Sequence, residues 1–159
     1  MSPLPVGSIA PDFSLPAGPG PDHVTLHEQR GKVVILMFVP LAFSGTCTEE
    51  FCHVRDHWGI WEGMDATVLG VSVDSPFTVK RWAEDMGIPF PVLSDFNKEV
   101  SAAYDVLHEE WYGLKGVAKR SVFVIDGDRH ITWSWLARED GQLPPFQDVV
   151  TAAVEAAKD

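Results

Sequence analysis

Residues 33–39, Val33-Val34-Ile35-Leu36-Met37-Phe38-Val39, form an unbroken apolar run rich in β-branched side chains. A strand with one wet face alternates apolar and polar residues, whereas a strand covered on both faces has no need to alternate. The run therefore predicts a central strand buried between two layers, and Pro40 ends it. Residues 67–73 and 121–125 repeat the pattern. Between and after them the spacing predicts helices: 48–64, with Phe51, Val54, Trp58 and Trp61 three and four apart; 76–86; a short one over 98–104; and 146–157, with Val149, Val150, Ala153, Val154 and Ala157 on one side. For 76–86 the ends are explicit, since Asp74-Ser75-Pro76 offers a cap followed by proline and Gly87 sits at the C-cap. Residues 91–93 suit a short edge strand. Asp126-Gly127-Asp128 turns the chain into a hairpin with 131–136. The cluster Pro16-Ala17-Gly18-Pro19-Gly20-Pro21 reads as a loop between two short strands. Strands alternate with helices and a hairpin precedes the last helix, so the expected class is three-layer α/β, a central mixed sheet flanked by helices.

At 159 residues, a length of ~100–200 residues per domain predicts a single domain over 1–159. The 45% hydrophobic content argues against disorder. A net charge of -11 repels phosphate backbones and anionic membrane surfaces, which excludes nucleic acid and membrane as expected partners. The N-terminus shows neither a cationic segment nor an apolar one of signal-peptide type, and 2 cysteines do not make a disulfide scaffold. The expectation is a cytoplasmic protein.

Chemistry concentrates in Pro40-Leu41-Ala42-Phe43-Ser44-Gly45-Thr46-Cys47. Here a cysteine opens a helix at the carboxyl end of a buried strand, where α/β folds place their sites. Helix N-termini carry unpaired N–H donors and partial positive charge, which favour thiolate over thiol. The position suits equally a reactive thiolate and a small buried hydrophobe. Arg120 reads by composition as a surface charge, and Glu50 as an ordinary acid near a helix start.

Pro40, Ser44 and Cys47 match the peroxiredoxin signature of Pro, three residues, Thr or Ser, two residues, and the peroxidatic Cys. Gly7 with Ala10-Pro11-Asp12-Phe13, Glu50, Leu93-Ser94-Asp95 and Arg120-Ser121-Val122-Phe123-Val124-Ile125-Asp126 follow the same family's order. The chain thus resembles peroxiredoxins, most of all the bacterioferritin-comigratory and one-cysteine bacterial alkyl hydroperoxide reductase-like branches. Ser44 stands where Thr is commoner and keeps its hydroxyl. The resemblance implies a thioredoxin-like fold, reduction of hydrogen peroxide or organic hydroperoxides, and no metal, flavin or haem cofactor. It makes Cys47 the nucleophile, Arg120 and Ser44 donors, Pro40 a shield from water and Glu50 the holder of an arginine. A dithiol protein of thioredoxin type is the implied reductant, and related branches include monomers and homodimers.

Cys52 lies five residues after Cys47. On a regular helix that is ~7.5 Å of rise and ~140° of rotation, a Cα separation of roughly 8.6 Å. Bridging requires less than ~7 Å without backbone movement. Cys52 is therefore either a core residue or, as the resemblance to the bacterioferritin-comigratory type implies, a resolving cysteine reached by local unwinding. The C-x-x-C of thioredoxin-like oxidoreductases is missing. Cys47, Cys52, His53 and His57 point in divergent helical directions and do not converge on one ion, although His53 and His57 share a face. The tryptophans, 58, 61, 82, 111, 133 and 135, read as packing residues.

Overall fold

The computed structural model describes residues 3–158. Its centre is a five-stranded sheet in the order β5-β4-β3-β6-β7, built from β3 (Val34–Phe38), β4 (Thr67–Ser72), β5 (Val92–Ser94), β6 (Ser121–Ile125) and β7 (Ile131–Leu136). β3, β4 and β5 run parallel, and β6 and β7 join antiparallel. A separate hairpin pairs β1 (Ser14–Pro16) with β2 (His23–Thr25), the two short strands expected around the Pro/Gly loop.

Every residue of β3 is buried, as the unbroken apolar run requires. Ile35 and Met37 pack with α1 (Gly45–Asp56), α3 (Pro76–Met86) and α5 (Phe146–Ala156), through Phe51, Val54, Trp82, Val149 and Ala153. Val34, Leu36 and Phe38 point the other way, onto Phe13, Leu69, Phe123 and, from the α4 segment (Glu99–Ala103 and the residue after it), Val100 and Tyr104. The result is the expected three-layer arrangement. α3 is capped as read: Ser75 accepts from the Thr78 amide at 3.2 Å, Pro76 follows, and Gly87 closes the helix in the left-handed region at φ 62.

The helix expected over 48–64 is two. α1 starts earlier, at Gly45, and stops at Asp56; α2 (Trp58–Glu62) follows a break at His57, which leaves helical geometry at φ -117, ψ 24. The His57 ring lies 2.8 Å from the His53 carbonyl, within the last turn of α1. His53 stacks on Phe146 of α5 and Trp61 of α2 packs against the same ring, so the two short helices turn separately toward α5. Trp58, expected on the continuous stripe, is only half-buried.

Strand register decides what meets α1. Phe38 at the end of β3 pairs with Ser121 at the start of β6, and Ser121 also pairs with Leu136 at the end of β7. Arg120, the loop after β7 and the N-terminus of α1 therefore share one end of the sheet. Sequence neighbours contribute little to this junction.

Candidate active site

The β3–α1 loop is pinned before α1 begins. Asp74 accepts from the Ala42 amide at 2.7 Å and also from the Ser72 hydroxyl. This holds a turn in which Phe43 adopts φ 66, a conformation that non-glycine residues seldom take. Ser44 occupies the N-cap position, half-buried; its hydroxyl makes no capping bond, and its carbonyl accepts from the Thr48 amide at 2.9 Å. Cys47 then falls in the first helical turn, where backbone N–H groups have no intrahelical partner.

On its other side α1 is anchored by packing. The Phe51 ring lies against Gly70 of β4, where a Cβ would come within 2.6 Å of it, and stacks on Trp82 with centroids 5.0 Å apart. Trp82, wholly buried, donates its indole N–H to the Thr48 hydroxyl at 3.2 Å. Burial of these rings, together with the Asp74 contacts, sets the position of Cys47.

Arg120 closes the site. Its Nη2 donates to Cys47 Sγ at 3.4 Å and its Nη1 to Glu50 Oε1 at 2.9 Å. Cys47 and Glu50 are fully buried and Arg120 is 7% exposed. Burial opposes the guanidinium charge, but the thiol and carboxylate beside it outweigh that, and the net effect raises its pKa further. Burial also pushes the Glu50 carboxyl up to about 7, against the pull of Arg120. Glu50 Oε2 makes no hydrogen bond, which accords with a carboxyl that burial disfavours as an anion.

A cavity of about 320 Å³ opens over this junction, floored by Pro40, Ser44, Thr46 and Arg120 and walled by Trp111 and Asp140. The structure thus brings Cys47, Glu50 and Arg120 into contact and sets Pro40 and Ser44 at the cavity floor. It does not bring Cys52 to them. Cys52 is half-buried five residues along an intact α1, and both thiols are free. His53 and His57 stack face to face at 4.4 Å. The cavity wall escaped the sequence reading, which took Trp111 as packing and passed over His108, Tyr112 and Asp140. Tyr112-Gly113 is not one of the usual two-residue turn pairs, and Asp140, which anchors it, reaches it only from the loop after β7.

An arginine fixed between a buried thiol and a buried acid, beside a helix N-terminus, can stabilise a thiolate and any negative charge developing next to it. Comparison with known proteins points the same way. The AhpC/TSA family model matches residues 6–134. Alkyl hydroperoxide reductase E of Mycobacterium tuberculosis is 44% identical over 126 residues, covering 77% of this chain and 79% of that protein. Among solved structures, a peroxiredoxin-like protein from Aquifex aeolicus superposes with a TM-score of 0.87 at 26% identity, covering 98% of this chain and 90% of that one. AhpC of Mycobacterium tuberculosis gives 0.82 at 27% identity, covering 99% and 95%. The chain belongs to the AhpC/TSA family and is a peroxiredoxin, a thiol peroxidase of thioredoxin-like fold.

Proposed function

We propose that the protein reduces hydrogen peroxide and organic hydroperoxides through Cys47, with Cys52 resolving the oxidised thiol. The observation that carries the first half is Arg120 donating to Cys47 and Glu50 at once. The Cys47 thiolate attacks one peroxide oxygen; the S–O bond forms as the O–O bond breaks, and the departing oxygen takes a proton and leaves as water or an alcohol. Negative charge builds on that oxygen, and the Arg120 guanidinium, the first N–H groups of α1 and the Ser44 hydroxyl are the donors within reach of the Cys47 end of the helix. Arginine suits the post because its planar fork serves two acceptors and stays charged. Pro40, buried at the cavity floor, limits water around the sulfur. The organic hydroperoxides enter on likeness to the alkyl hydroperoxide reductase.

In the second half the Cys52 thiol displaces water from the Cys47 sulfenic acid and forms a disulfide, which a thioredoxin-like dithiol protein reduces. Helix geometry keeps the two Cα atoms roughly 8.6 Å apart, so this step requires α1 to unwind. The same observation favours a second reading, a one-cysteine cycle in which an external thiol attacks the sulfenic acid directly.

The Cys52→Ser variant separates the two. If Cys52 resolves, wild-type protein treated with one equivalent of peroxide loses two hydrogen masses within one chain, whereas the variant consumes one equivalent and stalls with thioredoxin. Excess peroxide then carries the variant's Cys47 to sulfinic acid. A variant turning over at the wild-type rate with the same reductant establishes the one-cysteine cycle.

A further inference from the structure

The wall of the cavity is built in an unusual way. Trp111 and Leu114 pair through two backbone hydrogen bonds, of 2.8 and 2.9 Å, around a two-residue turn. Both turn residues, Tyr112 at φ 51 and Gly113 at φ 80, are in the left-handed region. That geometry favours Asn, Asp or Gly at the first position, yet a tyrosine stands there, 76% exposed. A strained aromatic kept at an exposed tip points to a task that the turn alone does not explain.

Asp140 supplies the restraint. It accepts from the Trp111 indole N–H at 3.1 Å through Oδ1 and from the Tyr112 hydroxyl through Oδ2. These two donors hold its carboxyl below the usual range. Asp140 is itself tethered, because the Ala137 amide donates to the Arg120 carbonyl at 2.9 Å and extends the β6–β7 ladder toward it. His108 lies roughly parallel to Trp111, with ring centroids 6.2 Å apart, and lines the same cavity. One carboxylate thus clamps two aromatic rings that line the same cavity as Arg120. At about 320 Å³ that cavity is far larger than hydrogen peroxide needs and lies within the range of small-molecule sites.

We propose that Trp111 and Tyr112, clamped by Asp140, form the surface that receives the organic substituent of a hydroperoxide and set the preference for organic over inorganic peroxide. The inference rests on the peroxidase reading of Cys47. Cys47 itself does not line the cavity, but Arg120, which donates to its sulfur at 3.4 Å, lines it together with the two rings. A hydroperoxide that reaches Cys47 past Arg120 therefore leaves its organic substituent in the space the rings face, and hydrogen peroxide has nothing to place there. Trp111 and Tyr112 are specificity residues, and Asp140 is a positioning residue acting through them.

The test compares single-turnover consumption of cumene hydroperoxide and of hydrogen peroxide. A lost apolar contact discriminates substrates by about tenfold or more, so Trp111→Ala and Asp140→Ala should each lower the cumene-to-hydrogen-peroxide rate ratio by that order. Asp140→Asn retains one acceptor oxygen and should recover part of the ratio. Tyr112→Phe keeps the ring, folds without a packing change, and should lower the ratio slightly. A merely structural clamp would depress both peroxides equally. An unchanged or increased ratio in the folded variants overturns the aromatic wall while leaving Cys47 chemistry standing. Wild-type protein that consumes neither peroxide overturns the reading beneath it and the wall together.

Discussion

The two cysteines share one helix and one residue type, yet their surroundings differ in every respect that matters to a thiol. Cys47 is fully buried in the first turn of α1, with the Arg120 guanidinium 3.4 Å from its sulfur. Cys52 is half-buried in the middle of the same helix, and its nearby cation, Arg55, is spent on Asp56 at 2.9 Å and the Met86 carbonyl at 2.6 Å. The N-terminal end is over-determined by groups from β4, α3 and β6: Asp74 on the loop, Trp82 on Thr48, Arg120 on Cys47 and Glu50. The C-terminal end is held by the Arg55 bonds and the His53–Phe146 stack, and it breaks at His57. What distinguishes the two positions is thus in part the tertiary surroundings that antiparallel β6 delivers. The helix adds to this, because its dipole and unpaired N–H groups act on Cys47 in the first turn and fall off before Cys52.

The largest break in that comparison is Cys47→Ser. A hydroxyl of nearly the same size retains the packing but is a far weaker nucleophile, so peroxide consumption should fall to the buffer rate with the folded state unchanged. Turnover persisting in the variant would transfer the chemistry to Cys52. Next in size is Arg120→Ala, which removes a fixed cationic donor; losses for one such donor are ~10²–10³-fold, and the second-order rate of Cys47 oxidation should drop by that order. Arg120→Lys should fall between, because a single ammonium does not reproduce the fork that spans Sγ and Oε1. If both variants oxidise as fast as wild type, Arg120 serves only to neutralise Glu50.

How much of this was readable beforehand follows the range of the interactions. The apolar run predicted β3, and the Ser75, Pro76 and Gly87 signals predicted both ends of α3, because those effects act within a few residues. The break at His57 was invisible in the spacing of Phe51, Val54, Trp58 and Trp61, since it arises where His53 and Trp61 separately meet Phe146 on α5. Arg120 carried no local signal of its own; its meeting with Cys47 depends on the Phe38 to Ser121 register, and the resemblance alone singled it out. Trp111 and Asp140 lay beyond even that, joined across 29 residues by the β7 register.

The contrast between the two ends of α1 sharpens on oxidation. A Cys47–Cys52 disulfide brings Cα atoms within ~7 Å and cannot form on a regular helix. The over-determined end should yield least, so amides from 52 to 57 should exchange at least about tenfold faster in the disulfide form, with smaller changes near Trp82 and β4. Trp58 and Trp61, beyond the break, should report the change in fluorescence. Equal exchange in reduced and oxidised protein would mean that α1 never opens.

The smallest expected effect concerns Glu50, which packing places at the N-terminal end of α1 as a buried acid. Its carboxyl is pushed up to about 7 from 4.5 in the unfolded chain. Between those values the folded state binds more of its proton than the unfolded state, so this group's contribution to stability is complete below pH 4.5 and is lost as pH rises toward 7. The slope for one proton is at most about 1.4 kcal/mol per pH unit. His53 and His108, whose pKa values burial lowers, act in the opposite sense across the same range, so wild type alone does not isolate the acid. Glu50→Gln removes the titration and leaves an amide oxygen to accept from Arg120. Urea unfolding of both proteins from pH 4.5 to 8 should show the wild-type curve falling relative to the variant up to about 7 and running parallel above it. Parallel curves throughout would show that Arg120 keeps Glu50 ionised across the range, its attraction outweighing burial, and that the N-terminal end of α1 holds a permanent ion pair.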